Sequence, residues 1–446
     1  MKNSYLKSLL IISMTVFYAD AGSPVADWGF VDYIQADNNL APFATFNVNE
    51  MKKADIPSNL NVLVQWDKPS DNKTWRYQVK KNTLIDAGSF IGAYDLGYNP
   101  VQEVIDMATW AKTNYNARQW CIVLWNHGSG VIDPGLRDAQ KALAQKQKIE
   151  QQAHLPPWLG LPGMVASKNR GILFDDTQGT FVTNANLTSM FRGVSNALGA
   201  PVDVVGMDAC FMAMIEVAYQ LVGYVKYLVA SQEVEPGNGW HYAGLLGGLS
   251  VDPAATTPLQ LAQIIVQQYG LFYMGQNNTV TQSAIDINAL APLKNNVNDL
   301  VRAVAACRAI NALKIKNTIA RARSASIEFD ITDYIDMYSF YHALSVGLAR
   351  KDKSIFKSAK VKTKPKKPSA AAKAEAAYAA AVTRLQTVLS RGKALITAAV
   401  VANSVGSVYS QAKGLSIYFP KGKTDPSYKY TLFAQDTAWD DFLAIY

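Results

Sequence analysis

Cysteine is scarce in this 446-residue chain: Cys121, Cys210 and Cys307 are all there is. So small and odd a set builds no disulfide framework, and its spacing with four histidines misses the templates of structural zinc. Charge is sparse as well, at 17% of residues, and it forms no broad basic face with interleaved aromatics. The formal net charge of +8 matches that of one run, residues 350–367 (RKDKSIFKSAKVKTKPKK), which holds nine basic residues and one acid. The remainder is near neutral, which argues against a nucleic-acid partner. There is no internal repeat, and no apolar run reaches the roughly 20 residues that cross a bilayer, so no membrane span is expected.

What the chain does have is apolar residues, 49% of the total, enough for a sizeable folded core. Its first residues carry the marks of an export leader. Lys2 and Lys7 precede an apolar stretch over 9–18, and Ala19-Asp20-Ala21 offers small residues at both recognition positions. Removal of 1–21 would leave a secreted or periplasmic protein. A thiol left unpaired there needs a reason.

Past the leader, apolar runs alternate with helical patterns. Residues 28–35 (WGFVDYIQ), 61–67 and 120–125 (WCIVLW) read as strands, and 101–115 as an amphipathic helix. A polar turn at 36–40 enters a helix ending at Met51, and 75–84 reads as an antiparallel excursion. This rhythm predicts an α/β domain over 22–283 on a mostly parallel central sheet sandwiched by helices. Residues 131–170 interrupt it with four prolines and a Gln/Lys-rich middle, as a lid or a segment meant to be cut would. The run GILFDD at 171–176 is expected to resume the sheet edge, and Thr183 or Asn184 to cap a helix reaching Leu198. From 284 to 446 the chain turns largely helical. It offers a long helix over 293–322, an alanine-rich helix from 370 after the basic run, and a last strand over 414–420.

Two chemically apt residues fall just after predicted parallel strands: His127 and Cys210. If those strands are neighbours, both side chains stand over the crevice at the sheet's carboxyl edge. A thiol needs a base, because the thiolate is the nucleophile and a free thiol titrates at about 8.5. Histidine supplies that base near neutral pH. Gly128 lets a backbone N–H approach a substrate oxygen, and with the amide of Cys210 it forms a candidate oxyanion hole. Ser129 lacks the Gly-x-Ser-x-Gly elbow of a serine hydrolase.

Asn126-His127-Gly128-Ser129-Gly130 and Asp208-Ala209-Cys210 resemble the clostripain family of cysteine peptidases, in the clan of caspases, gingipains and legumains. Other pieces match in the same order. They are Ala36-Asp37-Asn38-Asn39-Leu40, Ser231-Gln232-Glu233 with Pro236-Gly237-Asn238-Gly239-Trp240, Ser283-Ala284-Ile285-Asp286, and Gly414 to Pro420. The resemblance covers most of the chain past the leader. It departs from the family in the long proline-bearing insertion and in Val131, where an aromatic residue is usual.

The resemblance implies a caspase-like fold and a dyad with no required third acid: Cys210 the nucleophile, His127 the general base and acid. It places Asp208 in the primary specificity pocket; Ser231 and Glu233 are further candidates for that pocket, and either Glu233 or Glu235 is expected to add negative potential there. A buried carboxylate there requires a cation opposite, which points to cleavage after Arg or Lys in peptide and protein substrates. The resemblance further implies a single-chain zymogen that cuts itself after a basic residue, the two pieces staying associated; Lys141, Lys146 and Lys148, in the polar middle of the insertion, are the candidate sites, and the run 350–367 is equally cuttable. The chemistry needs no cofactor. Calcium dependence is known in the family, and Asp175 and Asp176 are the acids available for it. His241, close after the glycine-rich loop, is a candidate substrate contact; His154 reads as exposed and His342 as structural. A reading of another class stays open: an inactive relative that binds peptides or surfaces.

Overall fold

In chain order the strands are β1 (Ala26–Gln35), β2 (Leu60–Lys68), β3 (Lys73–Lys80), β4 (Thr83–Asp86), β5 (Ala117–Trp125), β6 (Ile172–Asp175), β7 (Thr180–Val182), β8 (Val202–Asp208), β9 (Val225–Ala230), β10 (Thr281–Asp286), β11 (Tyr334–Asp336), β12 (Val400–Val405) and β13 (Ser416–Tyr418). The structure, a computed structural model, describes residues 25–69, 73–87, 97–132, 171–350 and 369–445. The expected leader, the expected cutting sites Lys141, Lys146 and Lys148, and the basic run after Arg350 lie outside the described residues.

Nine strands form one sheet in the order β12-β10-β9-β8-β5-β1-β2-β3-β4. The five from β9 to β2 run parallel, and the flanks on both sides pair antiparallel. Burial on both faces explains the apolar runs. In β1, Trp28, Phe30 and Ile34 enter one core while Val31 and Tyr33 enter the other, the two-residue period of a strand. The helices Ala41–Met51, Tyr242–Ser250 and Pro258–Tyr273 cover the first face. Pro100–Asn114, Asn184–Leu198 and Leu290–Ile310 cover the second. Each fully buried Leu or Ile side chain on these faces contributes about 2 kcal/mol of burial.

Several local expectations are corrected. The run GILFDD does not extend the sheet: both sides of β5 are taken by β1 and β8. Residues 171–182 form the separate hairpin of β6 and β7, joined to the strand ends by a bridge from Gly128 to Ile172. The last strand, expected over 414–420, is β13 and pairs with β11 in a separate two-stranded sheet. The boundary expected at 283 falls inside β10, and the region beyond returns β12 to the same sheet. The helix expected over 293–322 is two, Leu290–Ile310 and Ala312–Ser324. Asn311 breaks it with φ −147°, and its side chain accepts from the Lys314 amide at 3.0 Å to cap the second. Thr183 stands at the N-cap of Asn184–Leu198 without a side-chain cap bond, and the Asn184 side chain donates to the Gly130 carbonyl at 2.9 Å.

Candidate active site

Two adjacent parallel strands end at the same level. Trp125 of β5 lies opposite Asp208 of β8. His127 and Cys210 therefore each stand two residues past that rung, at the edge where α/β sheets bind ligands. The loops leaving the two strands touch. A Cβ built on Gly128 would lie 2.4 Å from the Cys210 carbonyl oxygen and 3.1 Å from its amide nitrogen, so only glycine permits the approach.

His127 is held from the other side. Its Nε2 lies 2.7 Å from Oδ1 of Asn39. An amide oxygen only accepts, so Nε2 carries the hydrogen and Nδ1 the lone pair a base needs. The turn that brings Asn39 here is clamped to β6: Asn38 donates to the Phe174 carbonyl at 2.9 Å, and Asn126 accepts from the Phe174 amide at 2.7 Å. Asn39 was absent from the site expected from sequence, although it lies within the matched Ala36–Leu40 piece.

The nucleophile's turn is strained. Phe211, directly after Cys210, has φ +63°, unusual for a bulky residue. Its amide donates to the Glu233 carbonyl at 3.2 Å, and its ring is buried edge-on against Tyr334. The Glu235 amide donates to Sγ of Cys210 at 3.3 Å. Burial pushes this thiol up to about 11, assisted by the carboxylates of Glu233 and Asp208. The thiol in turn lies 3.9 Å from the Glu235 carbonyl oxygen, so both bonds run to backbone groups.

Asp208 is buried beneath the glycine-rich loop. Its Oδ2 accepts from the Trp240 amide at 3.2 Å and from the Tyr242 hydroxyl at 2.9 Å. Gly239, with φ +59°, passes so close that a Cβ would lie 2.7 Å from the same oxygen. Beside it sits Glu235, whose Oε1 accepts from Gln282 at 3.3 Å and from the Trp240 indole at 3.5 Å. Burial lifts both carboxyls, and Glu235 further, because the charge of Asp208 opposes its ionisation. Among the described residues no basic side chain pairs with either.

The other expected pocket residues are placed differently. Ser231 is fully buried; its Oγ donates to the Glu233 carbonyl and bonds the Thr281 hydroxyl, both at 2.9 Å. The carboxylate of Glu233 accepts from the amides of Val234 and Asp330 and from the Tyr409 hydroxyl. These bonds shape the loop, and the acid that meets Asp208 is Glu235. Asp175 and Asp176 follow one another at the end of β6. Asp175 is buried, with its oxygens accepting from Gln35 at 2.8 Å and from the Gln178 amide at 2.7 Å. Among the described residues no three such ligands gather for an ion.

His241 stacks on Phe272 at 4.8 Å and lies 3.9 Å from Glu50, packed against the helices of that face. His342 is exposed on its helix, and His154 lies outside the described residues. Cys121 and Cys307 are buried free thiols. No helix of the described residues is long and apolar enough to cross a membrane.

Comparison with known proteins adds to this geometry. The model of the clostripain family matches residues 32–153 and 160–445. Clostripain of Hathewaya histolytica is 24% identical over 363 residues, 69% of this chain; the match spans 61% of that relative's length. A secreted cysteine protease from Bacteroides thetaiotaomicron, solved with an irreversible peptide inhibitor, shares the fold at 18% identity. The alignment covers 93% of this chain and 100% of that one, with a TM-score of 0.59. An inactive zymogen protease from Parabacteroides distasonis is similar at 16% identity, over 93% of this chain and 98% of that one, with a TM-score of 0.56.

Proposed function

The chain belongs to the clostripain family, and from that membership we propose that it is a cysteine endopeptidase cleaving after Arg or Lys. Cys210 attacks the scissile carbonyl while His127 takes the thiol proton and returns it to the leaving amine. Water then hydrolyses the thioester. The amides of Gly128 and Cys210 receive the oxyanion. The observation that carries this reading is the β5–β8 register, which sets the imidazole and the thiol at matching positions past one rung.

The basic preference is supported by the acid pair. Asp208 and Glu235 are buried side by side, each opposing the other's ionisation, and among the described residues no cation pairs with either. Around them Gln282 Oε1 and the Tyr269 hydroxyl are buried without hydrogen-bond partners. Orphaned polar groups of this kind suit a ligand rich in donors, as a guanidinium or ammonium is.

The protein is made with a leader ending at Ala21, exported, and held as a zymogen. A thiol resting on the Glu235 amide and pushed up to about 11 suits an uncut chain. Cutting at Lys141, Lys146 or Lys148 frees the crevice. Because β5 precedes the insertion and β8 follows it, their pairing holds the two pieces together afterwards.

The same thiol geometry favours one second reading, an inactive relative that binds peptides without cutting them. The test is a set of fluorogenic peptides ending in Arg, Lys, Asp or Asn, given to the processed protein and to Cys210→Ala. Turnover of the Arg and Lys peptides that vanishes in Cys210→Ala supports the peptidase. Turnover of the Asp or Asn peptides overturns the pocket assignment, and no turnover with retained peptide binding supports the second reading.

A further inference from the structure

Asp32 is a charged residue in the middle of an apolar strand. It lies in β1 opposite Val123, and Val123 lies opposite Gly206 of β8, so the acid is two strands from the nucleophile's strand on one transverse row. Its side chain is fully buried on the face where the Trp240 ring covers Gly206 and stacks on Tyr242. The group it meets is the Tyr242 hydroxyl. That hydroxyl stands between two acids: it donates to Asp208 Oδ2 at 2.9 Å and is also near enough to Asp32 to interact with it, while neither Asp32 oxygen has a partner at normal hydrogen-bond distance.

A buried carboxyl with two orphaned oxygens demands an explanation. As a carboxylate it would sit in apolar surroundings near a second anion, and both burial and the Asp208 charge oppose that state. As a neutral acid it becomes a donor, and the Tyr242 oxygen has a lone pair left for it. The chain then reads Asp32 O–H to Tyr242 Oη, and Tyr242 O–H to Asp208 Oδ2. Each bond polarises the next, so Tyr242 is a stronger donor to Asp208 than an isolated tyrosine. With Asp32 neutral, the negative charge of this cluster falls to Asp208 and Glu235.

We propose that Asp32 is a positioning residue for substrate selection: through Tyr242 it fixes the orientation and charge of Asp208, so that one anion meets one basic side chain. This rests on the reading of Asp208 as the specificity acid. Asp32 touches no reacting atom, so its effect belongs in substrate affinity and not in the chemical step.

The test compares processed wild-type enzyme with Asp32→Val, Asp32→Asn, Tyr242→Phe and the Asp32→Val/Tyr242→Phe double variant on Arg and Lys peptides. Valine matches the shape and suits a strand, so a merely structural Asp32 would give a variant as stable as wild type or more so, with unchanged kinetics. The expected result is a KM raised about tenfold in Asp32→Val with kcat within about twofold. Asp32→Asn, whose amide still donates, recovers most of that loss. Tyr242→Phe raises KM at least as much, and adding Asp32→Val to it changes nothing further. An unchanged KM in Asp32→Val, a loss in kcat alone, or additive effects in the double variant overturns the role of Asp32. Should Asp32→Val fail to fold, an unchanged KM in Tyr242→Phe overturns it equally. A wild-type enzyme without preference for basic peptides overturns the specificity reading itself and Asp32 with it.

Discussion

Asn39 Oδ1 stands 2.7 Å from Nε2 of His127, across 88 positions of sequence. The bond fixes the imidazole's tautomer and its plane, so the ring is aimed before any substrate arrives. Asn39→Ala leaves a ring that turns freely, and misplacing a catalytic group by an ångström costs on the order of a hundredfold in rate. The expected outcome is a fall in kcat of that order with KM little changed, measured on an Arg peptide. Asn39→Asp retains an acceptor and is expected to recover part of it, with a pH–rate profile moved upward because an added anion favours the imidazolium.

Gly128 is where the two loops meet. In Gly128→Ala the new methyl would stand 2.4 Å from the Cys210 carbonyl oxygen, an overlap that only backbone movement relieves. Moving that backbone displaces both amides proposed for the oxyanion. Removing one such donor costs about a hundredfold or more in kcat. Gly128→Ala is expected to lose at least that much, while its far-ultraviolet circular dichroism stays that of the wild type. Near-normal turnover would show that the amides of residues 128 and 210 do not hold the oxyanion.

The thiol itself can be titrated. In the uncut chain Cys210 is pushed up to about 11 by burial and by Glu233 and Asp208. Its alkylation by iodoacetamide, followed by mass spectrometry of the peptide holding residue 210, is expected to keep climbing beyond pH 9. Once the chain is cut and the imidazole reaches the sulfur, the midpoint is expected to fall below the ordinary thiol value of about 8.5. A rate that levels off below pH 8 in the uncut chain would contradict the resting geometry.

Much of this was legible beforehand. Apolar runs gave the parallel strands, and polar residues just past two strand ends gave His127 and Cys210, because the carboxyl edge of a parallel sheet is where its ligands bind. What escaped detection depends on contacts distant in sequence. Glu233 and Glu235 sit two residues apart on one loop, and only the folded path of that loop shows which meets Asp208. Asp32 is one polar residue in an apolar run, and the run alone does not reveal the Tyr242 hydroxyl beneath it. The hairpin of β6 and β7 reads as a sheet edge until both sides of β5 are seen to be filled.

Glu216 couples the nucleophile's helix to the C-terminal region, and its stability effect has a definite sign. It lies on the helix Ile215–Tyr219; its Oε1 accepts from the Tyr418 amide of β13 at 2.9 Å and from the Tyr428 hydroxyl at 3.1 Å. Its Oε2 is buried without a partner. Burial lifts the carboxyl from the usual 4.5 to about 7. Between those values the folded protein holds a proton that the unfolded chain has released, so stability falls as pH rises. The contribution is complete below the unfolded value and lost as pH passes the folded one, a change of about 3 kcal/mol. Glu216→Gln keeps the acceptor and cannot titrate. Urea unfolding at pH 5, 6, 7 and 8 is expected to show the variant gaining on the wild type by about that amount between pH 5 and 8, with no change in m-value. A difference between the two proteins that stays constant with pH would mean that Glu216 is already charged in the folded state.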